Sequence, residues 1–106
     1  MSSNRNEKIA EALRQTAAEF FAREAGPQSL ITVTAVRLNE DGHRGLIFIT
    51  VLPEVAEESA LSFAQRNRGE LGALFKKHIK GVQLPHIEFR IDLGEKSRQR
   101  LDELSS

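Results

Sequence analysis

The chain has 106 residues, 15 lysines and arginines against 15 aspartates and glutamates, and no cysteine. That length fits one domain with one modest core. The absence of thiols excludes disulfides, thiolate metal sites and a cysteine nucleophile, in keeping with a reducing compartment.

At 40% hydrophobic and 28% charged residues the composition is that of ordinary folded protein. No apolar run approaches the roughly 20 residues of a membrane span. The opening Met1 to Glu7 lacks the apolar run of a secretory signal. A cytoplasmic protein with no membrane contact is therefore expected. Tryptophan and tyrosine are absent, and the six phenylalanines mostly sit at core-like spacings.

The first helix is predicted over Asn4 to Ala25. Asn4 and Glu7 fit an N-terminal capping pair, and Gly26-Pro27 fits a stop. Ile9, Leu13, Ala17, Phe20 and Phe21 form its apolar face. Arg5, Lys8 and Arg14 lie off that stripe, where solubility alone explains them. Leu30 to Leu38 is β-branched and roughly alternating, so a strand is predicted there. Asn39 to Gly42 is a turn with Asp41-Gly42 as its tight point. Gly45 to Leu52 is a second strand, almost continuously apolar, which suggests burial on much of both faces or a central position. The two strands are expected to form a hairpin.

Pro53-Glu54 opens the next helix, with Glu54, Glu57 and Glu58 at the positive end of its dipole. Ala56, Ala60, Phe63, Ala64 and Asn67 share a face. A break follows at Gly69. The helix after it carries Leu71, Leu74, Phe75 and Ile79 on one side and Lys76, Lys77 and Lys80 on the other. His86 to Asp92 alternates cleanly, with Ile87, Phe89 and Ile91 inward, and reads as a third strand. After Gly94, Glu95 to Leu104 reads as a short charged helix held by Leu101 and Leu104. The expected order is α-β-β-α-α-β with a short C-terminal helix, in an α+β class. The first and third strands are expected to be parallel neighbours, with the helices on one face. One domain over 1–106 is expected, with residues 1–4 and 105–106 as disordered ends.

No catalytic constellation is visible. His43, His78 and His86 have no ligand spacing, and no nucleophile elbow surrounds a serine. His78 reads as a partly buried packing residue. No metal and no cofactor are expected.

The charge distribution is uneven. Gln65 to Gly81 holds five bases (Arg66, Arg68, Lys76, Lys77 and Lys80) and one acid, Glu70. That leaves ten bases against fourteen acids elsewhere. A +4 segment in a neutral chain is a localised footprint for a polyanion. A solvated helix face is the plainer explanation of the same lysines. Gly69-Glu70-Leu71-Gly72 matches the Gly-x-x-Gly of nucleic-acid-binding KH domains. Its Glu and Leu are poor phosphate partners, so it does not read as a working clamp.

Several motifs converge in one order. They are Arg5-x-x-Lys8-Ile9, the strand pair Ile31 to Thr34 and Ile47 to Leu52, and Asn67-Arg68-Gly69 between two helices. Pro85-His-Ile-Glu-Phe89 and Arg100-Leu-Asp-Glu-Leu104 follow. Over Arg5 to Leu104 the chain resembles the ribosome-binding factor A (RbfA) family, bacterial small-subunit assembly factors with a type II KH-like fold. In that family an Ala-x-Gly kink replaces the Gly-x-x-Gly loop; here Asn67 stands where the family has alanine. The resemblance implies no catalysis. It implies binding to the immature 30S subunit and its rRNA, help in maturing the 5′ end of 16S rRNA, and importance in the cold. Arg5, Lys8, Arg66, Arg68, Lys76, Lys77 and Lys80 are the candidate RNA contacts, lying along phosphates with little base readout. Ribosomal proteins or other assembly factors are further candidate partners, and a monomer is expected. Two other classes are kept beside this one: a KH-like module docking mainly on protein, and a small enzyme.

Overall fold

A computed structural model describes residues 2–24 and 29–105. Helix α1 spans Ser2–Glu24, strand β1 Leu30–Leu38 and strand β2 Arg44–Leu52. A short 3-10 turn over Glu54–Ala56 leads into α2, Glu57–Arg66, and then α3, Arg68–His78. Strand β3, His86–Ile91, and α4, Leu93–Ser105, complete the chain. The order is the expected one.

The apolar stripe of α1 is buried throughout: Ile9, Leu13, Ala17 and Phe20 are fully covered and Phe21 nearly so. Thr16 joins them because its hydroxyl donates to the Ala12 carbonyl at 2.7 Å, which satisfies the polar group inside the core. The helix begins at Ser2, so Asn4 lies within it and is not a cap, and Ser2 to Asn4 form its first turn. Gly26-Pro27 and the terminal residues Met1 and Ser106 lie outside the described residues.

Strands β1 and β2 form the expected antiparallel hairpin, from Leu30 opposite Leu52 to Leu38 opposite Gly45, with a bulge between Val33 and Ala35. The turn is closed locally. Gly42 sits at φ +76°, its N–H donates to the Asn39 carbonyl, and the Asp41 carboxylate accepts the His43 N–H at 2.8 Å. A side chain at Gly42 would meet the Asn6 carboxamide 2.8 Å away. Asn6 itself donates to the Glu40 carbonyl at 3.0 Å, which ties the start of α1 to this turn.

The sheet order is β1-β2-β3, with β3 parallel to β2 from Arg44 opposite His86 to Ile49 opposite Ile91. The expected pairing of first and third strands is therefore wrong; both are edges. The physical reason lies in β2 itself. Its residues from Ile47 to Val51 are almost all buried, and such a strand needs hydrogen-bonded neighbours on both sides.

Helices α1, α2 and α3 cover one face of the sheet. Phe20 stands edge-on to Phe21 at 5.2 Å and stacks on Phe63 at 5.5 Å. Phe21 meets Phe89 edge-on at 5.7 Å, which links α1 to β3. Leu71, Leu74 and Phe75 of α3 close the core from the other side.

Two helix boundaries differ from expectation. The break between α2 and α3 falls at Asn67, not Gly69. Asn67 has φ −113° and ψ 35°, and its side-chain amide donates to the Phe63 carbonyl at 2.7 Å. An asparagine that bonds its own preceding turn competes with the helix ladder and ends it. Gly69 lies in the first turn of α3, and a side chain there would touch nothing. At the other end α3 stops at His78, short of the Ile79 and Lys80 expected on its faces, and Ile79 turns extended and packs against the core.

Helix α4 is held differently from expectation. Leu101 and Leu104 are 62% and 84% exposed. The helix is instead anchored at its start by Asp92, whose carboxylate accepts the Glu95 N–H at 3.0 Å and the Thr34 hydroxyl at 2.5 Å. Lys96 pairs with Glu57 at 2.8 Å and Glu54 at 3.5 Å, and Arg100 pairs with Glu54.

Candidate nucleic-acid interface

The seven candidate cations do not gather at one point. Lys76 and Lys77 occupy the last turn of α3 with exposed side chains, and Lys80 follows in the loop rather than on the helix. Among the described residues none of the three has an ion pair or hydrogen bond. Lys76 and Lys80 border one shallow hollow together with Ile79, Gly81, Val82 and Gln83. Three ammonium groups without an ion pair over one helix turn and its exit make a localised positive region on the helical side.

The C-terminal end of α3 is fastened by an acid from α1. The Glu19 carboxylate accepts a hydrogen bond from His78 Nε2 at 2.9 Å and pairs with Arg23 at 3.2 Å. The hydrogen bond with His78 is the largest influence holding the Glu19 carboxyl below the usual range; the charges of Arg23, His78 and Lys77 act in the same direction. The His78 side chain is partly covered, as its spacing suggests, and it serves as a polar tie between two helices.

Arg68 does not face solvent freely. Its guanidinium donates to the Ile87 carbonyl at 2.9 Å and to Gln65 at 2.8 Å, and lies 3.4 Å from His86 Nδ1. It binds the start of α3 to the sheet-edge strand β3. A fork-shaped cation with several fixed donors suits this task better than lysine. Arg66 is exposed at the end of α2 and spends one donor, at 3.4 Å, on the Ser62 carbonyl. Arg5 and Lys8 are exposed on the first turns of α1, with Arg5 beside the β1–β2 turn. Arg5 is fourteen residues from Glu19, about 20 Å along the helix. These two cations therefore stand at the opposite end of α1 from the lysine group.

The three histidines remain apart, and among the described residues no group of three or more His, Cys, Asp or Glu side chains forms a metal cage. No helix among the described residues is long and apolar enough to cross a membrane. Two cations that sequence reasoning passed over stand out: Arg37 and Arg44 are exposed and unpaired on the other side of the molecule. The alternation of β1 was the available signal for Arg37, since it turns that residue away from the helices, whereas Arg44 lies outside the strand read from the sequence.

The family model for ribosome-binding factor A matches residues 5–105. The chain belongs to the ribosome-binding factor A family. It is 31% identical over 111 aligned positions to ribosome-binding factor A of Trichlorobacter lovleyi, which covers 98% of this chain and 87% of that one. Its fold matches the crystal structure of ribosome-binding factor A from Thermus thermophilus at TM-score 0.66 and 30% identity, over 78% of this chain and 91% of the other. The same scores relate it to the Thermus thermophilus RbfA homology model fitted into the cryo-EM map of a 30S–RbfA complex, of which 90% is covered. The α+β architecture is that of RbfA structures and agrees with a type II KH-like fold. Helices α2 and α3 meet at Asn67, and the Arg68 that follows is spent on the β3 edge.

Proposed function

We propose that this protein is a non-catalytic assembly factor that binds the immature small ribosomal subunit in the cytoplasm, as a monomer. Membership of the RbfA family supports this, as does the likeness to a Thermus thermophilus protein placed in a 30S–RbfA complex. Maturation of the 5′ end of 16S rRNA is the step it assists. The observation that carries the contact is the unpaired group of Lys76, Lys77 and Lys80 at the exit of α3. Unpaired lysines at a helix end release counterions when they meet phosphates. Arg66 flanks the same helical side, and Arg5 and Lys8 are helpers at the far end of α1. Arg68 acts by fixing the kink against β3 rather than by touching RNA.

Co-sedimentation with purified small subunits across a salt series tests this. Wild-type binding is expected to prefer immature subunits and to weaken steeply with salt. Replacing Lys76, Lys77 and Lys80 with glutamine is expected to flatten the salt slope by about 0.7 to 0.9 for each phosphate no longer neutralised. An unchanged slope removes these lysines from the interface. The zero formal charge favours a second reading, docking on a ribosomal protein or another factor, and salt-insensitive binding of the wild type would select it.

A further inference from the structure

The sheet has a second face, and α1, α2 and α3 leave it open. Pairing and alternation define what lies on it. Arg37 of β1 is opposite Leu46 of β2, and Leu46 is opposite Glu88 of β3. In the next row Ala35, Phe48 and Arg90 stand side by side. Arg44 and His86 pair at the end of the strands near the turn. Helix α4 reaches the far end of the sheet, where Lys96 and Gln99 line a hollow with Thr50 and Leu52. Leu46 and Phe48 are half-buried on this face and do not pack against the helix-covered core.

Three properties of this face combine. Phe48 is an aromatic ring in the middle strand of an open sheet, beside the small Ala35. Arg37 and Arg44 border a shallow hollow of about 440 Å³ with Leu46, His86 and Glu88, and neither arginine has an ion pair among the described residues. Glu88, the acid of this row, is neutralised by Arg90 at 2.9 Å. A ring on which a base can stack, with free guanidinium groups one and two rows away for the backbone, is what a flexible nucleic-acid strand requires. An apolar protein partner would have no use for two unpaired arginines bordering its contact.

We propose that this open face binds single-stranded RNA, with Phe48 stacking a base and Arg37 and Arg44 holding the adjoining phosphates. The surface is separate from the lysine group on α3, so the protein has two RNA-facing sides. The inference rests on the reading that the partner is ribosomal RNA, and adds that part of that RNA is unpaired when bound.

The test uses the full chain and a fluorescein-labelled oligoadenylate of about ten nucleotides, within the usual site sizes. Fluorescence anisotropy at low salt gives the affinity, and amide chemical shifts give the location. Phe48→Leu keeps apolar volume and removes the ring; it is expected to weaken binding about five- to a hundred-fold. Arg37→Gln with Arg44→Gln is expected to lower the salt slope by about 1.4, the equivalent of two single-strand phosphates. Shift changes are expected at Leu46, Phe48 and His86. The proposal is overturned if the folded wild type binds no oligoadenylate, if both variants bind like wild type, or if the shifts are confined to α3. Should Phe48→Leu unfold the chain, the exposed arginine pair still decides the question. Retained co-sedimentation with small subunits alongside any of those failures would remove this face and leave the assembly-factor reading standing.

Discussion

Helices α3 and α4 are of similar length, 11 and 13 residues, and are attached by opposite means. Helix α3 inserts Leu71, Leu74 and Phe75 into the core. Helix α4 hangs on an aspartate cap and on ion pairs from Lys96 and Arg100 to Glu54 and Glu57 around the start of α2. Apolar burial has no charge to titrate or screen, whereas a cap and ion pairs depend on pH and salt. The molecule therefore has a rigid helical side, where the lysine group is displayed, and a conditionally attached C-terminal helix at the margin of the open sheet face.

The largest expected effect breaks the apolar side of this contrast. Phe75 is fully buried, and Phe75→Ala is expected to cost about 3–5 kcal/mol. Urea unfolding followed by circular dichroism measures it; a loss below about 1 kcal/mol would mean that α3 is not a structural wall.

A smaller loss, confined to α4, is expected at its cap. Asp92→Ala is expected to cost about 0.5–2 kcal/mol and to raise amide exchange in α4 while leaving α3 protected. The Thr34 hydroxyl, then the Glu95 N–H, hold the Asp92 carboxyl below the ordinary aspartate value. A depressed pKa stabilises the fold above the unfolded value, about 3.9, and that stability disappears as pH falls through the lower folded value. Exchange in α4 is thus expected to rise below about pH 4 in the wild type, and this change is expected to vanish in Asp92→Ala. Equal exchange in both helices at every pH would erase the distinction between them.

The smallest effect sharpens the contrast by strengthening α3. Gly69 lies in its first turn with open space where a side chain would go, so Gly69→Ala is expected to stabilise by about 0.5–1 kcal/mol. Destabilisation, read in the same urea titration, would show that the glycine itself makes the kink.

Much of this arrangement is readable in the chain. The stripe of α1, the limits of β1, the Asp41-Gly42 turn and the inward residues of β3 follow from local periodicity and turn chemistry, which act within a few residues. Even the central position of β2 is present in its continuous apolar run, although the chain order suggests pairing β1 with β3. The site is less legible. Lys76, Lys77 and Lys80 stand out as one charged group, yet whether a cation is free depends on distant partners. Arg68 looks like Lys76 in sequence, and the Ile87 carbonyl, nineteen residues away, takes its guanidinium. The spacing of His78 suggests packing, and Glu19 of α1, at 2.9 Å, also makes it a polar tie.

By itself the sequence determined which segments are helix or strand, which face of each is apolar, and where positive charge concentrates. These depend on side-chain spacing and local backbone preference. Only the tertiary structure decided that β2 lies between β1 and β3, that Asn67 ends α2, that α4 is held by Asp92, and that Phe48 faces outward between Ala35 and Arg90. Strand order, the partners of charged groups and the open face of a sheet depend on which surfaces meet after collapse. Those contacts join residues far apart in the chain, and no local pattern encodes them.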